Sequence, residues 1–213
     1  MDQKPERPLR TIWIGVVLIV LILSLSFWQT RRNTVPLPVL GVVADFALTN
    51  QLNQPVTVAD LYGQVWLADI IFTRCPGPCA RMTRQMAAVQ AALPKNSSAR
   101  LVSLTTDPEF DTPEVLSRYA ERFGADSKRW KFLTGTKSQI AGLAVDSLKL
   151  TTLEKPVAER TSADDLFIHS TIFVLVDKQS RLRGIFETGG DGIEWTNIQP
   201  TILSAIKQLE REP

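Results

Sequence analysis

Read from its N-terminus, the chain opens with one long apolar run. Beyond it, short apolar runs alternate with stretches whose apolar residues recur every three to four positions. Thr11–Trp28, "TIWIGVVLIVLILSLSFW", holds no charged residue. As a helix of about 1.5 Å per residue it would extend about 27 Å, enough for a bilayer core. Residues 45–61, "DFALTNQLNQPVTVADL", read as a hairpin turning between Asn50 and Pro55. "QVWLADIIF" is a buried strand, and "ARMTRQMAAVQAAL" is a helix stopped by Pro94. "ARLVSLTTD" is the next strand. Thr112 as N-cap and Pro113 at the first helical position then start a helix that closes on Gly124.

A strand "WKFLTG", a helix "KSQIAGLAVDSL" and a polar stretch over 151–165 follow. That stretch is long for a connection in a compact domain and predicts a functional loop. "STIFVLVD" and "LRGIFET" form a hairpin across Lys178–Arg181, and "NIQPTILSAIKQLE" is the last helix, with Pro200 in its first turn. This order of elements predicts an α/β sandwich on a mixed central sheet. Four regions result: a tail over 1–10, a transmembrane anchor over 11–28, a linker over 29–44 and one domain over 45–213.

Charge sharpens the picture at the N-terminus. Lys4, Arg7, Arg10, Arg31 and Arg32 outnumber Asp2 and Glu6, whereas the remainder carries 19 basic and 20 acidic side chains (24 less five, 22 less two). A near-neutral domain without basic runs excludes nucleic acid as a partner. Three basic residues precede the apolar run and two follow it, which favours the N-terminus inside and the domain outside the cytoplasm. A signal peptide cleaved near Ser24-Leu25-Ser26 is the alternative. The length of the apolar run and the bulky Phe27-Trp28 that follow favour an uncleaved anchor. Either way the domain lies where disulfides persist.

The chain's two cysteines, Cys75 and Cys79, stand where a buried strand gives way to a helix. A helix start stabilises a thiolate. Pro76 and Pro78 stiffen the spacer, and Arg74 and Arg81 add positive charge. A disulfide across so small a loop would stabilise little, so a redox pair and a metal site are the competing functional readings. The arrangement resembles the thioredoxin superfamily, in which a buried Asp stands six residues before the first cysteine, as Asp69 does here. Such a carboxylate could move protons during thiol chemistry. His169 is the sole histidine, placed before the strand "STIFVLVD". Thioredoxins carry a proline just before that strand's Thr, where this chain has His-Ser-Thr. Two thiolates and an imidazole form a soft ligand set suited to copper or zinc.

"FTRCPGPC", "TTDPEFDTPEVLSRYAERFG", "WKFLTG" and "IHSTIFVLVD" together resemble the Sco/SenC family. Its members are membrane-anchored, thioredoxin-like copper proteins that assist cytochrome c oxidase assembly. The resemblance runs over about 45–209 and implies Cys75, Cys79 and His169 as ligands of Cu(I) or Cu(II). It implies delivery of copper to, or preparation of the thiols of, a copper-bearing oxidase subunit or another copper or thiol protein. It also implies a single pass through the inner membrane, with the domain facing the periplasm or another extracytoplasmic space. Asp107 and Asp111 match the family's DPxxDT segment, with a strand end and a helix cap as their expected roles. Departures are Ala80, where most members have proline, and Asp69 and Arg74, where neutral residues are usual. The alternative function is a membrane-tethered thiol–disulfide oxidoreductase acting on extracytoplasmic partners.

Overall fold

A computed structural model describes residues 9–32, 35–75, 77–150, 152–154, 167–169, 171–190 and 192–213; in 9–32 the side chains of 13–25 are described, and in 152–154 and 167–169 the backbone alone. The chain divides into two units, 1–36 and 37–213. The first unit contains helix α1 (Leu9–Arg32), which covers the apolar run. Among the described residues no helix is long and apolar enough to cross a membrane, so the spanning role expected of 11–28 is not established by the structure.

The second unit is built on one eight-stranded sheet. Its strands are β1 (Gly41–Val42), β2 (Ala47–Asn50), β3 (Pro55–Thr57), β4 (Trp66–Ile71), β5 (Arg100–Thr105), β6 (Trp130–Thr134), β9 (Ile172–Val176) and β10 (Arg181–Glu187). The spatial order is β1-β10-β9-β4-β5-β6-β2-β3. β4, β5 and β6 run parallel, while β9, β10 and β1 on one side and β2 and β3 on the other run antiparallel. The sheet is therefore mixed, as the element order predicts. The parallel strands read as continuous apolar runs because both faces are covered. Alternate residues of β4 divide between two cores, with Leu67 and Ile71 on one face and Trp66, Ala68 and Ile70 on the other.

Helices connect the strands: α2 (Val58–Leu61), α3 (Pro78–Ala92), α4 (Pro113–Arg122), α5 (Lys137–Ala141) and α6 (Trp195–Arg211). Pro78 opens α3 where its missing N–H costs nothing. Thr112 caps α4 by accepting from the Val115 N–H, and α4 ends at Gly124 with φ +66°.

Three expectations are corrected. The helix over 137–148 turns π-helical at Gly142–Ser147. The wider turn lets Leu143, Ala144 and Leu148 all reach the core and lets Ser147 Oγ accept from the Ala44 N–H at 3.2 Å. The last helix starts two residues early, at Trp195, whose ring meets Phe173 edge-on at 6.0 Å. Pro200 is therefore its sixth residue, beyond the first turn. The polar stretch begins as a strand, β7 (Thr152–Glu154), paired antiparallel with β8 (Phe167–His169) in a separate two-stranded sheet. The rest of that stretch, 155–165, lies outside the described residues.

Candidate functional site

Both cysteines lie at the C-terminal end of β4. Cys75 lies within the loop that follows the strand and is half-buried, whereas Cys79 sits in the first turn of α3 with no exposed surface. No disulfide joins the two in this structure. The loop folds back so that the Cys79 N–H donates to Cys75 Sγ at 3.4 Å. The Cys75 N–H donates to the Phe72 carbonyl at 3.2 Å. Burial pushes the Cys79 thiol well above its ordinary pKa, and the hydrogen bond with the Cys75 side chain adds to that rise. The helix start therefore does not by itself make Cys79 a thiolate. A cation bound at the sulfurs would have to displace that proton.

Two carboxylates brace the loop from outside. Asp111 has no exposed surface; it accepts from the Thr73 N–H at 3.1 Å, from the Thr73 hydroxyl, and from the Thr105 hydroxyl at 2.5 Å. Burial raises its pKa despite these donors. Asp107 receives Arg74 Nη2 at 2.6 Å, and the Arg74 guanidinium lies 4.1 Å from the centre of the Phe110 ring. Asp107 lies just past the end of β5, as expected, but Asp111 is not the helix cap: Thr112 caps α4, and the Asp111 carboxylate turns to Thr73 and Thr105. The two side chains fix Thr73 and Arg74, the two residues before Cys75.

Asp69 is buried, on the β4 face shared by Leu67 and Ile71 and covered by α3, not on a solvated face. Ser103 Oγ donates to Asp69 Oδ1 at 2.6 Å, and Trp130 Nε1 donates to Ser103 Oγ at 3.0 Å. The Asp69 charge raises the pKa of both Cys79 and Tyr119. Tyr119 Oη and Thr83 Oγ1 are 2.9 Å apart above the same core. Sequence reasoning missed Ser103 and Trp130. The signal was a lone serine inside the apolar strand β5, on the face that alternation assigns to α3.

The antiparallel register of β9 on β4, Ala68 opposite Val174, brings the start of β9 to the end of β4. His169 precedes that start by three residues and pairs through its backbone with Thr152. Its side chain lies outside the described residues. Two residues on, Thr171 accepts from the Thr188 N–H and hydroxyl at 2.7 and 2.8 Å. Gln85 of α3 donates to the Thr188 carbonyl at 2.9 Å. A Cβ at Gly189 would lie 2.0 Å from Arg81 Nη2 and 3.3 Å from Thr171 Cβ, so glycine lets the α3 side chain lie over this corner. The cysteine helix and the backbone leading from His169 are thus tied to one end of the sheet. Among the described residues no group of three or more His, Cys, Asp or Glu side chains converges on one point.

Residues 38–202 match the model of the SCO1/SenC family. The chain belongs to the SCO1/SenC family. The SCO1 protein homolog of Bacillus subtilis is 34% identical over 142 residues, 66% of this chain and 70% of that protein. A SCO1/SenC family lipoprotein from Bacillus anthracis superposes with a TM-score of 0.67 at 28% identity, covering 79% of this chain and 95% of that one. BsSco, a member of the Sco family of cytochrome c oxidase assembly proteins in which a disulfide switch was identified, gives 0.65 at 28% identity, covering 84% and 100%. Bradyrhizobium japonicum ScoI with copper bound gives 0.65 at 22% identity, covering 79% and 99%, and so shares the fold. The fold is the thioredoxin-like one of the Sco family, as the resemblance implied.

Proposed function

We propose that this SCO1/SenC protein holds copper between Cys75, Cys79 and His169 and passes it to a copper-bearing oxidase subunit or another copper or thiol protein. The observation that carries this reading is the braced loop. Asp107 and Asp111 hold Arg74 and Thr73, so that Cys75 Sγ lies 3.4 Å from the Cys79 backbone nitrogen at the end of the sheet reached by the chain after His169. Two sulfurs and an imidazole suit three-coordinate Cu(I), and one added ligand would hold Cu(II). Copper is the cargo. The chain's part is to give up two thiol protons as copper binds and to regain them as it leaves. Half-buried Cys75 is the sulfur a recipient can reach, so ligand exchange begins there, with buried Cys79 holding the ion until last. Copper bound to a relative supports this reading.

The same proposal makes α1 a single inner-membrane pass with the N-terminus inside and the domain on the periplasmic side. The charge-free run Thr11–Trp28 supports it. Copper titration of the reduced full chain, followed by absorption and EPR, tests the site. We expect one copper per chain, and His169→Ala should weaken Cu(II) binding by tenfold or more, one lost metal–ligand bond being worth at least ~1.4 kcal/mol. Unchanged Cu(II) affinity in that variant would sink the three-ligand site.

A second reading, thiol–disulfide exchange with a partner's cysteines, draws support from Asp69, buried on the face that carries α3. On that reading Asp69→Asn slows reduction of a model disulfide and leaves copper stoichiometry at one. Equal rates in the two proteins would remove it.

A further inference from the structure

Arg100, Lys128 and Lys131 line one cleft of about 350 Å³ with Asn50, Gln54 and Gln64. The cleft lies where the parallel strands begin: Gln64 precedes β4, Arg100 opens β5 and Lys131 is the second residue of β6. That is the end of the sheet opposite the cysteines. The one carboxylate in its wall, Asp60, is engaged by the Thr57 N–H and hydroxyl at 2.7 and 2.8 Å. No carboxylate among the described residues forms an ion pair with Arg100, Lys128 or Lys131. Other carboxylates at this end are taken as well. Asp177 and Glu212 hold Arg183, and Glu210 accepts from the hydroxyls of Ser97 and Ser98. Three cations against one carboxylate leave the cleft with excess positive charge, which favours an entering anion. In the same wall Gln64 Oε1 is buried and receives no hydrogen bond, an acceptor suited to a hydroxyl donor.

The chain enters the domain at this same end. The Leu37 carbonyl is held by Arg183, which also grips Asp177 in the β9–β10 turn and Glu212 near the C-terminus. We propose that the cleft docks on the phosphate headgroups of an anionic bilayer, so that the cysteines face away from the membrane toward a recipient. Against three cations the cleft sets the single carboxylate of Asp60, and a phosphodiester with a glycerol hydroxyl supplies the further negative charge and the donor. The proposal rests on the reading of α1 as an anchor, which sets the bilayer within reach.

The test uses the full chain with vesicles of phosphatidylcholine alone or containing one part in three of phosphatidylglycerol, and reads lysine acetylation by mass spectrometry. Lys128 and Lys131 should be protected about fivefold by the anionic vesicles, a cation at such a surface being worth ~1 kcal/mol. Protection should fall in Arg100→Ala and at high salt. Lys137, in α5 after β6 ends, should label equally in both. Equal labelling of Lys128 and Lys131 in the two vesicle types, with the chain bound to both, overturns the proposal. Protection by polyglutamate without protection by anionic vesicles assigns the cleft to an acidic protein and overturns it too. If the chain fails to associate with neutral vesicles, the anchor is lost and the cleft alone must carry binding. Co-sedimentation with anionic vesicles that Arg100→Ala weakens then upholds the cleft, and no co-sedimentation rejects it.

Discussion

At the residue scale the cysteine loop owes its shape to Asp111, thirty-eight positions beyond Thr73. Its carboxylate satisfies one backbone N–H and two hydroxyls in a site without exposed surface. Truncation strands those donors, and each unsatisfied buried group costs about 1–3 kcal/mol. We expect Asp111→Ala to lower stability by about 2–4 kcal/mol in urea titration. The rate at which Cys75 reacts with a thiol reagent should rise, because Thr73 is released. Unchanged Cys75 reactivity would mean that Arg74 and Asp107 hold the loop alone. The cysteines were legible from their spacing at a strand-to-helix corner. The burial of Asp69 was implied only by the thioredoxin resemblance, a solvated strand face being the alternative, and the structure sets it on the β4 face that Leu67 and Ile71 share. Asp111 was legible as a motif residue but not as a brace, since nothing local to it names a partner so far away in sequence.

Elements whose ends are decided locally were the ones the sequence placed best. Thr112-Pro113 opens α4 and Gly124 closes it, each acting on orphaned backbone groups within one turn. Gly124 takes φ +66° with nothing within 4 Å of a would-be Cβ, so only conformation opposes a side chain there. Gly124→Ala should cost about 1 kcal/mol, read as a drop in Tm with no change in copper stoichiometry. A loss much larger than this would point to a contact made elsewhere. Elements shaped by tertiary contacts were misread. The π-helical turn at Gly142–Ser147 exists because three apolar side chains and Ser147 are all drawn inward. The early start of α6 follows from Trp195 meeting Phe173. Neither force appears in helical periodicity.

Across the whole molecule, the apolar runs announced a mixed sheet but not its strand order, because order is set by pairings between distant segments. Arg183 shows how such segments are locked together. It is nearly fully buried, bonds Asp177 at 2.7 Å and Glu212 at 2.8 Å, and holds the Leu37 carbonyl at 2.7 Å. One side chain thus joins the chain's way into the domain, the β9–β10 turn and the C-terminus. Arg183→Ala leaves Asp177 buried without its closest cation and should cost about 3–5 kcal/mol. Burial alone would raise the Asp177 pKa. Hydrogen bonds from Arg183 and Arg181 reverse that and hold it below the ordinary value. A carboxylate whose folded pKa is depressed stabilises the fold above its unfolded value of about 3.9, and loses that contribution as pH falls through the folded one. Urea midpoints for the wild type and Asp177→Asn should therefore differ most at neutral pH and draw together as pH falls below about 3.9 and through the folded pKa. Midpoints that stay equally far apart from pH 7 to pH 2.5 would show that the Asp177 charge does not hold these three segments together.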